Sequence, residues 1–519
     1  MATAPAHSNT LGLLTAAVGV DAVITDPAER EFYAQDVYTL GPDPLGIFRP
    51  ADTDMLARGL AAIADTGVAI VPRGGGMSYT SGYVAPEAGA LIIDMAAMDR
   101  ILEINETDMT VTVEAGCTWH KLYDALHPRG LRTPVWGTLS GIKANIGGGM
   151  SQNGLFWGAT HGTIAPCALS MEVVLADGTV MRTGSAFLRP FGPDLTGLFG
   201  SDAGSFGIKA KVTLPLMRDA TAFAYGSFAF DTPDQITAAM SQVAREGLAS
   251  ECFGFDPFLQ AQRMKRDSLT KDAKQLVGMM KSQGGFWKGI KEGAKVVAAG
   301  RSFLDEATFS AHLICEGRHQ GAVDADMRRV EEIVAEAGGT KVENTIPKVM
   351  RANPFPPVNS MVGPDGERWV PVHGIVRHSR ALETIETIGA LYERHGAEME
   401  RLGVGAGYLI LTVGRTGFLI EPVFYWPDEM QEMHRRSVEP DHLAKLKGFP
   451  ANEEARALVA TLRQGVIDIF GDMDGVHFQI GRAYPLEARS DPKAWTLLKA
   501  VKRAVDPEGR MNPGALGLE

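Results

Sequence analysis

The rhythm of apolar and polar positions changes three times along this chain. Residues 10–65 carry apolar positions at helical spacing, broken by one irregular stretch, GPDPLGIFRP. From 67 to about 216 the rhythm shortens to β-rich runs separated by Gly, Asp and Pro, such as TVTVEAG, SMEVVLADGTVMRTG and GIKAKVTLPL. Asp177-Gly178 between two apolar runs predicts a hairpin. From about 218 to 465 long amphipathic helices alternate with strands. FAYGSFAF and FSAHLICEG read as strands, and 321–337 and 381–400 as helices. The last fifty residues predict a strand (GVHFQIG), a helix over 491–504 and a Gly/Pro-rich tail. The expected class is α+β. Three parts follow: residues 1–217, a unit over 218–465 built on an antiparallel sheet flanked by helices, and a segment over 466–519.

Between GVAIVP and ALIIDM lies the run Val71-Pro72-Arg73-Gly74-Gly75-Gly76-Met77-Ser78-Tyr79. Three glycines without Cβ let backbone press close to an anion and aim N–H groups at it. A second glycine cluster holds Gly137, Gly141 and Gly147 to Gly149 and continues through SQNGLFWGATHG; a third runs from Gly197 to Gly207. Three such loops on one β-rich unit imply a long ligand, and a dinucleotide meets that description. No GxxxxGK[ST] run is present, so a mononucleotide P-loop is disfavoured. The first loop leads to another strand rather than a helix, which argues against a Rossmann fingerprint.

The chain has 519 residues, more than one core should hold, and is 45% hydrophobic and 22% charged, as in an ordinary globular protein. A net charge of −12 argues against nucleic-acid binding. Four scattered cysteines form no CxxC pattern, so no metal site is expected and a cytoplasmic location fits best. No apolar run is long enough to span a membrane. One local exception to the acidity is 263–301, with ten Lys or Arg against three acids; it reads as a solvated helical face or as a docking surface for an acidic partner.

The order PRGGGMS, ALIIDMAAMDRILEIN, TVTVEAGCTWHKLYDAL, IGGGMSQNGLFWGATHG, MEVVLADGTVMRTG, GLFGSDAGSFGIKAKVTL and DPEGRMNPG resembles the vanillyl-alcohol oxidase/p-cresol methylhydroxylase superfamily. The resemblance covers roughly residues 36–217 and the last fifteen. It implies an FAD-binding domain of two α+β subdomains, a cap domain over the flavin ring, and a C-terminal segment returning to the FAD domain. The implied pyrophosphate loop is Pro72, Arg73, Gly74, Gly75, Gly76, Met77 and Ser78. Thr138, Gly141, Gly147, Gly148, Asn153 and Gly154 are the implied contacts of the second cluster, with His161 and Gly162 supporting the cofactor. Ser205, Gly207, Ile208 and the tail residue Asn512 complete the set. Met77-Ser78 stands where some relatives carry a flavin-linked histidine, so FAD is expected to be non-covalent.

Two substrate classes compete under this resemblance. In the phenol-oxidising branch, Tyr79 and Arg482 fall where substrate-binding residues sit, and hydride would pass from a para-substituted phenol or benzylic alcohol to the flavin. In the D-2-hydroxy-acid branch, arginines hold a carboxylate and a histidine takes the hydroxyl proton; the GDGN-type motif of that branch is absent here. Candidate catalytic residues are Tyr79, Arg482, His373, His477 and Glu421, the last because a carboxylate in FLIEPVFYW must be paired or protonated. Candidate substrate contacts are Arg377, His378, Arg415 and Tyr425. A third reading is a flavin electron-transfer subunit docked through 263–301 to a cytochrome or quinone-linked partner. A homodimer is expected.

Overall fold

A computed structural model describes residues 7–190, 192–264 and 308–519. From Lys265 onward the basic island lies outside the described residues.

The N-terminal region packs three helices, His7–Val18, Pro27–Tyr33 and Thr53–Ala62, against a four-stranded sheet. Its strand order is Val23–Ile24, Gly46–Phe48, Leu91–Asp94, Ile70–Arg73. Leu91–Asp94 is buried throughout between two parallel neighbours. A strand covered on both faces takes an apolar run, which Leu91, Ile92 and Ile93 supply, and its buried Asp94 is paired with Arg49 and Tyr33. The stretch GPDPLGIFRP is not wholly irregular: Gly46–Phe48 is a buried strand, three residues long and too short to show a period.

A five-stranded antiparallel sheet follows, ordered Ile101–Asn105, Thr110–Glu114, Ile208–Pro215, Ser170–Val174, Val180–Gly184. The last two strands form the hairpin expected at Asp177-Gly178. Gly178 takes φ 85°, and the Asp177 carboxylate accepts the Thr179 N–H at 2.8 Å.

The eight-stranded sheet is antiparallel, with its long path ordered Thr340–Lys341, Ala222–Phe230, Phe309–Gly317, Glu251–Phe255, Gly405–Val413, Gly417–Trp426, Arg368–Pro371. Strand Gly374–Arg377 also pairs with Gly417–Trp426. Successive side chains alternate between faces. Ile410, Phe418, Ile420 and Phe424 join the core shared with helices Ala381–Leu402 and Glu453–Asp472. Leu409, Leu411, Leu419, Val423 and Tyr425 face the other way, into a core shared with the five-stranded sheet and Trp119, Trp157 and Phe206.

The tail helix is Pro492–Val505, close to expectation. GVHFQIG is not a strand. It makes one isolated bridge, Val476 to Ile375, and Gly481 turns the chain at φ 55°. Its polar groups are taken up by other segments: the Arg482 N–H donates to Thr80 O and His477 Nδ1 lies 2.6 Å from His373 O.

Candidate functional site

Three adjoining cavities form one trench. The first is lined by Pro72, Arg73, Gly74, Asn145, Gly147, Gly148, Gly204, Gly207, Ile208 and Lys209. The second shares Gly74, Asn145 and Gly148 with it and adds Gly75, Gly76, Met77, Ser78, Thr138, Gly154 and Gln479. The third shares Met77, Thr138, Ser140 and Gln479 and opens to about 170 Å3 below the eight-stranded sheet.

Local chemistry shapes each wall. The Gly74–Ser78 loop leaves strand Ile70–Arg73 and bends at Gly76, φ 69°. Its outer side is held by the Tyr83 hydroxyl, which donates to Ser78 O at 2.9 Å. Among the described residues, the N–H groups of Gly74, Gly75, Gly76 and Met77 find no acceptor. Such a row of unused donors suits a diphosphate. The opposite wall is helix Ile146–Gln152, capped by Asn145, whose Oδ1 accepts the Gly148 N–H at 2.9 Å. At the far end Lys209 and Asp202 form a buried ion pair. An elongated group with a diphosphate at its middle fits this trench, as FAD would.

The Arg73 guanidinium points away from the trench. It donates to Phe32 O, Tyr33 O and Gln35 O at 3.1 to 3.3 Å, so only its backbone serves the loop. Several other expected cofactor contacts hold the scaffold instead. A Cβ on Gly141 would stand 2.4 Å from the Phe355 ring. Asn153 ends helix Ile146–Gln152 at φ 49°, and its side chain accepts the Ala165 N–H. Ser205 reaches Ala515 O, and Asn512 donates to Gly82 O and Ala203 O. His161 and Gly162 line none of the three cavities.

The end cavity is mostly apolar, with Leu155, Phe156, Met361, Leu411 and Phe478 among its walls. Leu419, Glu421, Val423 and Tyr425 line it together because they share one face of their strand. Glu421 hydrogen-bonds the Tyr79 hydroxyl, and burial with this carboxylate raises the phenol well above its ordinary value. Tyr79 packs edge-on to Trp369 at 5.9 Å and His373 at 5.8 Å.

His373 and His477 stand one layer behind the cavity. His373 is fully buried, and neither ring nitrogen has a partner. Burial and neighbouring His477 push its pKa well down, so it stays neutral. His477 lies flat on Tyr484 at 3.9 Å, and burial holds it at about 4. Its Nδ1 donates to His373 O and its Nε2 accepts from Arg489, which sets the tautomer.

The remaining candidates sit elsewhere. The Arg482 guanidinium is occupied by Ser81 O, Asn512 Oδ1 and Pro513 O at 2.6 to 2.7 Å and lines no part of the end cavity. Arg377 is exposed and paired with Asp474. His378 approaches Arg415 O near the exposed hairpin that carries Arg415. Residues the sequence did not single out include Asn145, Gln152, Lys209 and Gln479, all in the trench. Arg463 is another: it stacks on Tyr38 at 4.1 Å behind the cavity wall and opposes Glu421 in its pull on Tyr79. Among the described residues no cluster of metal-ligating side chains is found and no helix is long and apolar enough to cross a membrane.

Residues 44–184 match the FAD binding domain family, and residues 471–516 match the C-terminal domain of FAD linked oxidases. The glycolate oxidase subunit GlcD of Bacillus subtilis is 33% identical over 196 residues, 37% of this chain and 41% of that protein. The mitochondrial D-lactate dehydrogenase (cytochrome) 1 of Saccharomyces cerevisiae is 28% identical over 212 residues, 40% of this chain and 35% of that protein. The chain thus spans less than half the length of these curated relatives. The structure of p-cresol methylhydroxylase with substrate bound superposes with a TM-score of 0.75 at 16% identity, over 100% of this chain and 98% of that one, a likeness of fold. With its trench and its two family segments, the chain carries an FAD-binding domain over 44–184 and the C-terminal segment of FAD linked oxidases over 471–516, and it shares the fold of p-cresol methylhydroxylase.

Proposed function

We propose that this chain is an FAD-dependent oxidoreductase that oxidises a neutral aromatic alcohol, with Glu421 taking the hydroxyl proton. The observation that carries the reading is the lining of the end cavity. It is apolar apart from Tyr79, Glu421 and a few neutral groups, and no Lys, Arg or His is among its described lining residues. Burying a substrate carboxylate or phenolate there as a second anion beside Glu421, with no lining cation to pair it, would be costly. A neutral alcohol meets no such penalty. Bound FAD supplies a two-electron acceptor. The side chains do the rest. The apolar walls and Trp369 hold the substrate, Glu421 accepts its hydroxyl proton, and hydride leaves the same carbon, so a carbonyl product forms. Tyr79, donating to Glu421, fixes the carboxylate that faces the substrate. Because Arg482 is occupied by carbonyl groups, the benzylic hydroxyl rather than a phenolate is the group activated.

The strands over 218–465 act as the cap over the flavin ring, and neither Met77 nor Ser78 offers a covalent tether. A D-2-hydroxy acid is the second reading, favoured by the names of the curated relatives. A cytochrome or quinone-linked acceptor at the basic segment remains part of both readings.

Anaerobic bleaching of the flavin against 4-hydroxybenzyl alcohol, other benzyl alcohols, 4-alkylphenols, D-lactate and glycolate separates them. Benzylic alcohols are expected to bleach it. Reduction by the hydroxy acids alone would overturn the aromatic reading.

A further inference from the structure

A buried charge cluster joins the five-stranded side of the molecule to the eight-stranded sheet. Arg132, buried on the short strand Leu131–Arg132, pairs with Glu316 and stands 3.4 Å from Asp219. Arg351, from helix Thr345–Ala352, stands 3.2 Å from Asp219 and 4.0 Å from Glu316. His127 reaches Asp219 from outside at 2.9 Å. Glu251 completes the group from strand Glu251–Phe255. One carboxyl oxygen accepts the N–H of Gly158 at 2.7 Å, and the other is buried without a partner. Arg132 and Arg351 likewise keep buried N–H groups unused, Nη1 of the first and Nε of the second.

Gly158 belongs to the loop that supplies Gly154 to the trench and Leu155 and Phe156 to the end cavity. It has φ 80°, and a Cβ there would stand 2.1 Å from Pro134 O, so its backbone is seated closely against Pro134.

We propose that Glu251 is a positioning residue whose protonation state sets, through Gly158, the loop that walls both the cofactor trench and the end cavity. Two arrangements are available. As the neutral acid, Glu251 holds Gly158 and leaves both arginines to Glu316 and Asp219. As the carboxylate, it competes with Glu316 for the unused arginine donors and draws the strand, and Gly158 with it, toward the cluster. Burial and the Glu316 charge raise Glu251 to about 8, while Gly158, Arg132 and Arg351 pull the other way. His161 lies in the same field of Arg132 and Glu316 but titrates below its ordinary value, in a lower pH range. Cys252 beside it and Tyr123 and Tyr225 near Arg351 are pushed upward and stay neutral through that range.

The sign follows from linkage. An acid that the fold keeps protonated favours the folded chain at low pH, and that contribution fades as pH rises from 4.5 to about 8. The test uses the FAD-loaded protein from pH 6 to 10, read by visible circular dichroism of the bound flavin and by melting temperature. Wild type should show a step in the flavin spectrum centred near 8. Glu251→Gln keeps the acceptor for Gly158 and cannot ionise, so its spectrum should stay at the low-pH form throughout. Glu251→Ala should show an altered spectrum at every pH. A wild-type step that persists unchanged in Glu251→Gln, or no wild-type step, overturns the proposal. If Glu251→Gln does not fold, the infrared band of a protonated carboxyl decides in an Asp256→Asn background, since burial also raises Asp256, to about 7: a band must vanish over the same step, and its absence at pH 6 refutes the assignment.

Discussion

Glu421 reaches the cavity because it alternates with Leu419, Val423 and Tyr425 on one strand face, and the opposite face belongs to the helix-covered core. That placement was legible in FLIEPVFYW, since an acid on an apolar strand needs a purpose. The role expected for Arg482 was not legible. Its acceptors come from Ser81, Asn512 and Pro513, and Ser81 lies 401 positions away in sequence. No local pattern announces such a partnership. His373 and His477 fall between these cases: His373 packs on Tyr79 and His477 on His373, one layer back, where burial keeps them neutral. Replacing Glu421 with Gln preserves shape and removes the base. The rate of anaerobic flavin reduction should fall about 10²–10⁴-fold, the usual contribution of a positioned general base, with FAD content unchanged. Stopped-flow reduction of Glu421→Gln at an unchanged rate would remove the carboxylate from the chemistry.

At the scale of elements, the glycine loops divide into two kinds that sequence spacing alone does not separate. Gly75 lies in the trench wall, and a Cβ there would stand 2.0 Å from Lys143 O, on the backbone that leads into Asn145. Gly162 has φ 103° and open space around its Cβ direction. Both read as cofactor glycines because the family order places both loops near the flavin; only packing shows that one seals the trench and the other makes a turn. Gly75→Ala must push the phosphate loop off its opposite wall. The overpacking costs about 1–3 kcal/mol, and its larger effect should be on the cofactor, with bound FAD falling at least about tenfold for each 1.4 kcal/mol transferred to binding. Gly162→Ala puts a side chain into a backbone conformation that essentially only glycine adopts, φ 103° and ψ −137°, a strain of about 1–3 kcal/mol, and should keep its flavin. Titration of the two apoproteins with FAD distinguishes them; equal loss in both variants would contradict this division. The strand expected at GVHFQIG teaches the same lesson, since a ladder needs a partner edge and the groups around it bond elsewhere.

The whole molecule is closed by its last residues. Ile70, at the start of the phosphate-loop strand, donates to Arg510 O and accepts from the Asn512 N–H, so the tail extends that sheet edge. Lys502 holds this arrangement from beneath: its ammonium, almost fully buried, donates to Ser205 O at 2.9 Å, Met511 O at 2.7 Å and the Asp506 carboxylate at 2.6 Å. Asp506 in turn accepts the N–H groups of Arg510 and Met511. One ion pair thus connects the tail, the helix Pro492–Val505 and the Gly204–Gly207 side of the trench. Lys502→Met strands the Asp506 charge and two carbonyl groups in the interior. Breaking a buried pair on one side typically costs about 3–5 kcal/mol, whereas replacing both partners by apolar groups is far milder. Lys502→Met should therefore lower the melting temperature by several degrees and weaken FAD retention, because Ser205 loses its support. The double variant Lys502→Met with Asp506→Leu should recover part of the loss in Lys502→Met, though not the bonds to Arg510 and Met511. A double-mutant cycle on melting temperature and FAD affinity measures this. Simple additivity of the two single changes would show that the pair does not act as a unit and that the tail is held by its other bonds, those to Ile70 and those of the Arg510 and Asn512 side chains.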